Sequence, residues 1–425
     1  MSNATSPVWH PFTQHALAGG FPSIARAEGA WLESDAGRRI LDAISSWWVI
    51  THGHCQPRIV AAIQAQAARL DQVIFADFSH AAAEDVARRL LALAPPGLAH
   101  AFFSDSGSTA VEVALKMALG FWRHRGEPRY RILALEHGYH GDTAGAMSAG
   151  ARGVFTNTYA PLLFEVARIP FPAPSPASGR EQATLDALEA ECRRGGAAAL
   201  IVEPLILGAG GMLMWRPQIL AEMQRICERY GVLLIADEVM TGFGRTGTVF
   251  ACEQAGVTPD IMCVAKGLTG GALPLAVTLC RPEIFAAHYS TDRTRTLFHS
   301  SSYTANPVAC AAAAANLDIW ASEPVLARIG ALGGWQQSWV ERFAGHARVE
   351  RVRHLGTIAA IDVRVPDAGY LAGVGPRLQQ AMLGRDVLLR PLGSTIYVMP
   401  PYCVTEPELA LVYEAIDAAL ETKPN

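Results

Sequence analysis

Two apolar runs near the middle of the chain end in groups of opposite charge. The first, Gly231-Val-Leu-Leu-Ile-Ala, ends in Asp237, and the second, Asp260-Ile-Met-Cys-Val-Ala, ends in Lys266. Neither run alternates apolar with polar residues, so each predicts a strand buried on both faces, as in a parallel sheet. Parallel strands joined by a crossover place their carboxyl ends side by side, where small ligands bind. We therefore expect Asp237 and Lys266 to face one pocket.

The pattern around these runs predicts an α/β protein. Between residues 100 and 280, further apolar runs alternate with segments of helical periodicity, which favours a mostly parallel sheet with helices on both faces. After Asn316 the pattern changes to a long helix followed by the strands of a smaller α+β domain. We predict three parts: an N-terminal segment of the small domain at 1–55, a large domain at 56–316 and the C-terminal part of the small domain at 317–425.

Asp237 and Lys266 together are the two groups that pyridoxal phosphate needs from a protein. An aspartate beside the pyridine nitrogen keeps that nitrogen protonated, and a lysine forms an imine with the aldehyde. The alternative is a capping aspartate and a surface lysine, both of which are common in proteins. The pair by itself leaves both interpretations open.

A Ser/Gly-rich turn precedes a predicted helix at Ser104-Asp-Ser-Gly-Ser-Thr109. Free backbone N–H groups and the helix dipole converge at such a turn, which indicates a phosphate site; a simple helix N-cap is the alternative. A strand at 130–135 leads to Glu136-His-Gly-Tyr139-His140, where the tyrosine can stack on a planar ring. The two histidines there have no further ligand nearby, so we do not predict a metal site.

Two further features allow more than one interpretation. Gly242-Phe-Gly-Arg-Thr-Gly247 matches the glycine pattern of dinucleotide-binding turns, but it follows its strand too late and no helix opens after it, so we predict a tight loop. Trp47 and Trp48 cannot both point into one core from a strand. Either one of them lines a cavity or an interface, or the two pack on opposite faces.

Composition narrows the classes of function. The chain has 425 residues, of which 50% are hydrophobic and 17% are charged, and its formal net charge is −4. These values exclude a disordered chain and give no electrostatic basis for nucleic acid as a partner. We find no apolar run long enough to span a membrane and no signal-peptide pattern in the first residues. The eight cysteines include no Cys-x-x-Cys pair, so we expect free thiols and a cytoplasmic location.

Together and in this order, these pieces resemble the class III, or omega-type, aminotransferases of fold type I, over nearly the whole chain. Within that class the chain is similar to the branch that aminates 8-amino-7-oxononanoate to 7,8-diaminononanoate in biotin synthesis, with S-adenosylmethionine as amino donor. The segments that carry this likeness are Trp9-His-Pro-Phe-Thr, Ser45-Ser-Trp-Trp48, Gly138-Tyr-His-Gly-Asp142, Gly242-Phe-Gly-Arg-Thr-Gly247, His299 to Pro307, Arg390-Pro-Leu-Gly and Tyr397-Val-Met-Pro-Pro-Tyr402.

The resemblance implies a pyridoxal 5'-phosphate enzyme and a role for each cofactor-binding residue. Lys266 would be the Schiff-base lysine, and Asp237 would be the partner of the pyridine nitrogen. Gly107 and Ser108 would hold the phosphate, and Tyr139 would stack on the ring. Lys266 and Asp237 are therefore the expected catalytic residues.

The resemblance also implies a homodimer with shared active sites. Ser302 would reach the phosphate from the other subunit, where the family usually has threonine. Trp47, Trp48, Tyr139, Arg390 and Tyr397 would shape the substrate pocket. Of these, Arg390 matches the family residue that binds the distant carboxylate of the keto acid.

One departure from the family pattern concerns the amino donor. Many members that use S-adenosylmethionine have tyrosine where this chain has Phe12, and phenylalanine also occurs in relatives that use lysine. Lysine as donor is therefore one alternative, although the Ser45-Ser-Trp-Trp48 segment favours S-adenosylmethionine. Another omega-amino acid transaminase and a non-catalytic scaffold of the same fold are the others.

Overall fold

The computed structural model describes residues 7–18, 20–174, 179–366 and 369–421. The first six residues, where the sequence shows no signal-peptide pattern, lie outside this part of the chain. The strands in chain order are β1 Ile24–Glu28, β2 Trp31–Ser34, β3 Arg39–Asp42, β4 His100–Ser104, β5 Arg131–Leu135, β6 Ala167–Ile169, β7 Ala197–Val202, β8 Ile206–Leu207, β9 Leu213–Met214, β10 Leu233–Asp237, β11 Ile261–Val264, β12 Ala276–Cys280, β13 Val349–Leu355, β14 Ile358–Val363, β15 Val387–Leu388 and β16 Thr395–Val398.

The helices differ widely in length and are separated by these strands in the central part of the chain. They are α1 Ser45–Trp48, α2 Pro57–Ala67, α3 Ala81–Leu93, α4 Gly107–His124, α5 Ala144–Ala149, α6 Arg180–Arg193, α7 Pro217–Tyr230, α8 Cys252–Ala255, α9 Pro282–His288, α10 Pro307–Ser322, α11 Val325–Glu341, α12 Val374–Leu383 and α13 Glu406–Glu421. Among the described residues, none of the helices is both long enough and apolar enough to cross a membrane.

A seven-stranded sheet forms the centre of the molecule, in the order β4-β12-β11-β10-β7-β5-β6. The pairs from β11 through β10, β7 and β5 to β6 are parallel. Strand β12 runs antiparallel to both β11 and β4. The predicted fold class, an α/β protein with a mostly parallel sheet, is therefore confirmed.

The apolar runs form strands because both faces of this sheet are covered. All five residues of β10 are buried. Leu234 and Ala236 pack into the core on one face of the sheet, whereas Leu233 and Ile235 pack on the other, where α4 lies. A strand buried on both sides has no position for a polar residue until its end, and β10 ends in Asp237.

Two smaller sheets lie beside the large one. Strands β13, β14 and β16 form an antiparallel sheet near the C-terminus. In a four-stranded sheet, β15 pairs with β3 through Val387 and Leu41, so the two ends of the chain meet there. This arrangement agrees with a small domain built from both chain ends, while the boundaries at 55 and 316 stay predictions.

Helix α10 lies behind the turn that carries Lys266. Its start is encoded locally: Asn306 accepts a hydrogen bond from the Ala309 N–H, and Pro307 occupies the first turn, where a missing N–H costs nothing. The helix is rich in alanine, and its small side chains let it pack closely against α2, α3 and the 3₁₀ turn Lys266–Thr269. Residues of α10 are therefore buried directly against that turn.

Candidate active site

Lys266 and Asp237 lie at the carboxyl ends of neighbouring strands. Because β10 and β11 pair in parallel with Asp237 opposite Cys263, the residues that follow the two strands meet at one edge of the sheet. Both side chains line a single cavity of about 570 Å³, as the two apolar runs predict. The cavity is large enough for a cofactor and a substrate together.

The environment of Lys266 favours the neutral amine. Its Nζ lies 5.1 Å from the centre of the Trp48 ring. Burial lowers the pKa of Lys266, and the negative charges of Asp237 and Glu203 only partly oppose that change. A lysine with a lowered pKa has a larger neutral fraction near pH 7, and the neutral amine is the form that attacks an aldehyde.

The carboxylate of Asp237 is held from two sides. One oxygen lies 2.7 Å from Nδ1 of His140, and the other accepts the N–H of Val239 at 3.2 Å. Both Asp237 and His140 are buried. From the sequence, His140 stands out only as a candidate metal ligand, and its contact with Asp237 is missed, although the histidine follows a strand of the same sheet.

The predicted phosphate turn is the start of helix α4. Ser106 caps the helix by accepting the Thr109 N–H, and the Thr109 hydroxyl accepts the Ser106 N–H in return. The N–H groups of Gly107 and Ser108 belong to the first turn, where no carbonyl of the helix can reach them. The helix cap and the anion site are therefore compatible interpretations, because they use different groups.

Two close backbone approaches shape this end of the cavity. A β-carbon on Gly107 would lie 2.5 Å from a methyl carbon of Val239, the residue that orients Asp237. A β-carbon on Gly141 would lie 2.1 Å from Oγ of Ser108, and Gly141 has φ 126°. That Oγ accepts the N–H of Asp142 at 3.2 Å. The phosphate turn therefore packs directly on both neighbouring loops.

Glu203 joins the loop of Tyr139 to a second loop. Its carboxylate oxygens accept the N–H of Tyr139 at 2.9 Å and the N–H of Gly208 at 3.0 Å. Burial raises the pKa of Glu203 to about 7 and also raises the pKa of Tyr139 above its ordinary value. Tyr139 lines the cavity as predicted, whereas the sequence predicts neither a role for Glu203 nor its contact with Tyr139.

The opposite end of the cavity is formed by aromatic rings. Trp48 is buried and donates its Nε1–H to the hydroxyl of Tyr397 at 3.0 Å. Trp47 is 40% exposed, and both tryptophans line the cavity. They lie in the short helical turn α1, not in a strand, and Ser46 and Trp48 there have positive φ values. The backbone turn explains how two adjacent tryptophans reach one cavity.

Arg390 lies at this aromatic end. Its guanidinium carbon is 5.1 Å from the centre of the Trp47 ring, and its Nη2 donates to the carbonyl oxygen of Phe12 at 3.1 Å. Within the described part of the chain, none of the ion pairs uses this guanidinium. A half-buried cation therefore faces the cavity with free hydrogen-bond donors.

Two aromatic residues of the cavity wall were missed from the sequence. Phe155 lies 5.8 Å from Phe12 and 4.4 Å from Tyr370, measured between ring centres, in edge-to-face contacts. Phe12 also contacts Trp47 edge to face. Phe155 and Tyr370 occupy irregular segments in which hydrophobic periodicity carries no signal.

Ser302 does not line the cavity of its own chain. Its side chain is exposed, and its carbonyl oxygen accepts a hydrogen bond from Gln72 at 2.5 Å. The neighbouring Ser301 donates to Asp105, next to the phosphate turn, at 2.8 Å. Ser302 is the one site residue predicted from the sequence that the structure leaves outside the cavity.

The groups in the cavity fit pyridoxal 5'-phosphate. The start of α4 offers free N–H groups and a hydroxyl for a phosphate, in a cradle that a side chain at position 107 would fill. Asp237 offers an oriented carboxylate for a protonated ring nitrogen, and Lys266 offers an amine for an aldehyde. These are the complementary partners of the three reactive parts of that cofactor.

Comparison with known proteins gives the class to which this fold and site belong. The family described as Aminotransferase class-III matches residues 18–420, and the chain belongs to this family of pyridoxal-phosphate-dependent transaminases. The chain is 46% identical over 418 residues to the adenosylmethionine-8-amino-7-oxononanoate aminotransferase of Synechococcus elongatus, covering 97% of this chain and 98% of that protein. The enzyme of the same name from Geobacter sulfurreducens is 38% identical and covers 98% of this chain and 96% of its own.

Solved structures lead to the same class. The adenosylmethionine-8-amino-7-oxononanoate aminotransferase of Methanocaldococcus jannaschii has a TM-score of 0.91 at 32% identity and covers 97% of each chain. A PLP-bound amine transaminase from an uncultivated Pseudomonas species has the same TM-score at 34% identity, with 98% and 99% of the two chains covered. The fold alone therefore does not separate these two activities.

Proposed function

We propose that this chain transfers an amino group from S-adenosylmethionine to 8-amino-7-oxononanoate and forms 7,8-diaminononanoate, a step of biotin synthesis. The observation that carries the proposal is Arg390, which lines the same cavity as Lys266 and Asp237 and makes no ion pair within the described residues, since the keto substrate has a carboxylate far from its reacting carbon. The 46% identical relative that is named for this reaction supports it.

The residues of the site divide the work of the reaction. Bound pyridoxal phosphate supplies a conjugated ring that accepts the electron pair left when the substrate carbon loses its proton. Asp237 would keep the ring nitrogen protonated, because His140 and the Val239 N–H orient its carboxylate. The Nζ of Lys266 would carry a proton between the nitrogen-bearing carbon of the substrate and the cofactor, away from that carbon for the donor and onto it for the keto acid. Its lowered pKa favours the free amine that this task requires.

The same pocket must accept the two substrates in turn. Arg390 would bind the carboxylate of 8-amino-7-oxononanoate, because a guanidinium can donate two parallel hydrogen bonds to a carboxylate. Trp47 and Trp48 would cover the apolar chain between that carboxylate and the reacting carbon. The hydrogen bond from Trp48 to Tyr397 fixes the ring that contacts Lys266.

A donor screen tests the proposal. Purified protein loaded with pyridoxal phosphate is mixed with 8-amino-7-oxononanoate and one amine at a time, and 7,8-diaminononanoate is measured by mass spectrometry. We expect product with S-adenosylmethionine and none with Lys266→Ala. Absence of product with every donor, together with turnover of ornithine or 4-aminobutyrate, would instead identify another omega-amino acid transaminase.

A second candidate keeps the acceptor and replaces the donor by lysine. It is favoured by Phe12, whose ring packs against Trp47 and Phe155 at the cavity wall and offers no hydroxyl to a polar donor. Product formation with lysine and not with S-adenosylmethionine in the same screen would establish it. A non-catalytic scaffold is excluded by the first positive result with either donor.

We also propose a cytoplasmic homodimer whose sites are completed by the Ser302 loop of the partner subunit. The hydroxyl-rich segment Ser300-Ser-Ser302 supports this arrangement, because the side chain of Ser302 is exposed to a second chain, whereas the Ser301 hydroxyl binds Asp105 of its own chain. Sedimentation at assay concentration is expected to give a dimer, and Ser302→Ala is expected to weaken pyridoxal phosphate binding. A fully active monomer contradicts the proposal.

A further inference from the structure

The turn that carries Lys266 is held from behind by a side chain outside the cavity. We propose that Asn316 is a positioning residue for Lys266: its amide group binds the two carbonyls that follow the lysine and so fixes where the amine points. This inference rests on the proposed function only in giving Lys266 the cofactor. It does not depend on which amine or keto acid the enzyme uses.

The contacts of Asn316 are specific. It lies on α10, is fully buried, and does not line the cavity. Its Nδ2 donates to the carbonyl oxygen of Gly267 at 3.0 Å and to that of Leu268 at 2.9 Å. Both amide protons are therefore used on the residues directly after Lys266.

The turn needs such a support because its backbone is strained. Lys266 has φ 41°, in the left-handed region that residues with a side chain rarely adopt. Such a conformation persists only where the surrounding structure holds it. The far end of the turn is tied down as well, since the Gly270 carbonyl accepts the N–H of Thr51 at 3.3 Å. Asn316 supplies the attachment nearest to the lysine.

The amide of Asn316 is also close to His52. The Oδ1 of Asn316 and the Nε2 of His52 are both buried, and neither has a hydrogen-bond partner among the described residues. The two atoms complement each other, because a neutral histidine can donate the proton that an amide oxygen accepts. Burial lowers the pKa of His52 to about 4 and keeps it neutral, while the neighbouring Asn316 amide opposes that change. His52 is packed edge to face against Trp320 and Tyr402.

A substitution at Asn316 therefore acts on Lys266 in a defined way. Asn316→Leu keeps the volume but removes both donors, which leaves the Leu268 carbonyl to find another partner, while the Gly267 carbonyl keeps only the N–H of Gly270 at 3.1 Å. The turn can do so only by moving, and the Lys266 amine then leaves its position beside Trp48 and Asp237. The affinity for pyridoxal phosphate and the electrostatic surroundings of the bound amine should both change.

Gln336 provides a matched control. It is also fully buried, its Nε2 donates to the carbonyls of Thr357 at 3.1 Å and Val398 at 3.3 Å, and its oxygen accepts the Tyr413 hydroxyl. Gln336→Met thus removes an equivalent buried amide from the small antiparallel sheet. It should lower the melting temperature without reaching Lys266.

The test uses holoprotein without substrates and follows the absorbance band of the bound pyridoxal phosphate. For Asn316→Leu we expect the pH midpoint of that band to shift by about half a unit or more and the dissociation constant of the cofactor to rise by about tenfold, roughly 1.4 kcal/mol. Gln336→Met should keep both wild-type values. If Asn316→Leu does not fold, Asn316→Ser, which keeps one donor, is measured in its place and should show intermediate shifts.

Two outcomes would overturn the inference. One is an Asn316 variant that melts earlier but keeps the wild-type pH midpoint and cofactor affinity, because the residue would then only stabilise the fold. The other is a Gln336→Met control that shifts both quantities equally. Neither result bears on the donor screen, so a failure of the proposed reaction and a failure of this inference remain distinguishable.

Discussion

The two ends of the cavity are built from different interactions. At the end that holds Asp237, the carboxylate is paired with His140 at 2.7 Å, and the hydroxyl of Ser108 is bound to the next loop. At the end that holds Arg390, most contacts are between the faces and edges of aromatic rings, as for Trp47. The first end is a network of short directional bonds, and the second is a set of apolar surfaces.

From this difference we expect the hydrogen-bonded end to determine the chemistry and the aromatic end to determine which substrates are accepted. A hydrogen-bonded network has one arrangement in which every member is satisfied, so it fixes the groups that act on the cofactor. Ring contacts change little in energy when a ring shifts by a fraction of an ångström, so the wall at Phe12, Phe155 and Tyr370 can accept a change of residue. This division leads us to expect that one fold can serve both an amine transaminase and an aminotransferase for 8-amino-7-oxononanoate.

The largest effect should come from Lys266, which lines the cavity together with Asp237 and lies against Trp48. Lys266→Ala removes the amine to which we assign aldehyde binding and proton transfer, so turnover should fall by about 10⁴-fold or more, the scale of losing both contributions. The absorbance band of the bound cofactor should change while circular dichroism stays that of the wild type. Turnover near the wild-type rate would remove Lys266 from its assigned role.

A slightly smaller loss is expected from the acid beside it. Asp237→Asn keeps the shape of the side chain but cannot hold a ring nitrogen protonated, and turnover should fall by about 10²- to 10³-fold, as when one preorganised electrostatic partner is removed. Both half-reactions should suffer, which single-turnover absorbance measures. Unchanged rates would show that Asp237 is structural.

At the aromatic end, a substitution should affect one substrate more than the other. Arg390→Ala should weaken the half-reaction of 8-amino-7-oxononanoate by about 2–4 kcal/mol, the scale of truncating one partner of a buried charge pair. The S-adenosylmethionine half-reaction should lose less, because that donor is not expected to place a carboxylate at the same position. Arg390→Lys keeps the charge without the planar fork and should recover only part of the loss. Equal losses in both half-reactions would contradict the assignment.

At the hydrogen-bonded end, the titration of Glu203 should be visible in the pH dependence of the free energy of unfolding. Its pKa of about 7 in the folded protein lies above the ordinary value of 4.5, so the folded state binds more protons between these values. The contribution of this proton to the free energy of unfolding is present at low pH, and about 3 kcal/mol of it is lost as the pH rises to 7. Denaturant unfolding of the wild type should therefore show this downward slope, and Glu203→Gln should lack it. An identical slope in both proteins would mean that Glu203 does not titrate there.

The smallest effect is expected at the cavity wall. Phe12→Tyr adds a hydroxyl beside Trp47 and should shift the ratio of kcat/KM for S-adenosylmethionine over lysine by about fivefold, since one hydrogen bond contributes about 1 kcal/mol. The absorbance band and the stability should not change. A loss of cofactor binding in Phe12→Tyr would contradict the separate roles of the hydrogen-bonded and the aromatic end of the cavity.

What the sequence predicts follows the same division. Asp237 and Lys266 could be found because each ends a strand whose apolar run is visible locally, and the sheet then brings them together. The partner of Asp237 could not, because His140 is 97 positions away and no periodicity links the two residues. Phe155 and Tyr370 were missed because their positions depend on loops whose paths are set by tertiary packing.

The contact between Gly107 and Val239 limits the distance between two parts of the site. One of these residues belongs to the turn offered to a phosphate, and the other directly follows the strand that ends in Asp237. Because bare backbone meets a methyl group there, the separation of the two anchoring points is set by atomic radii and cannot shrink. The contact therefore sets a minimum distance between the turn proposed for the phosphate and the residue proposed for the ring nitrogen, and it should disfavour a cofactor analogue in which that span is shorter.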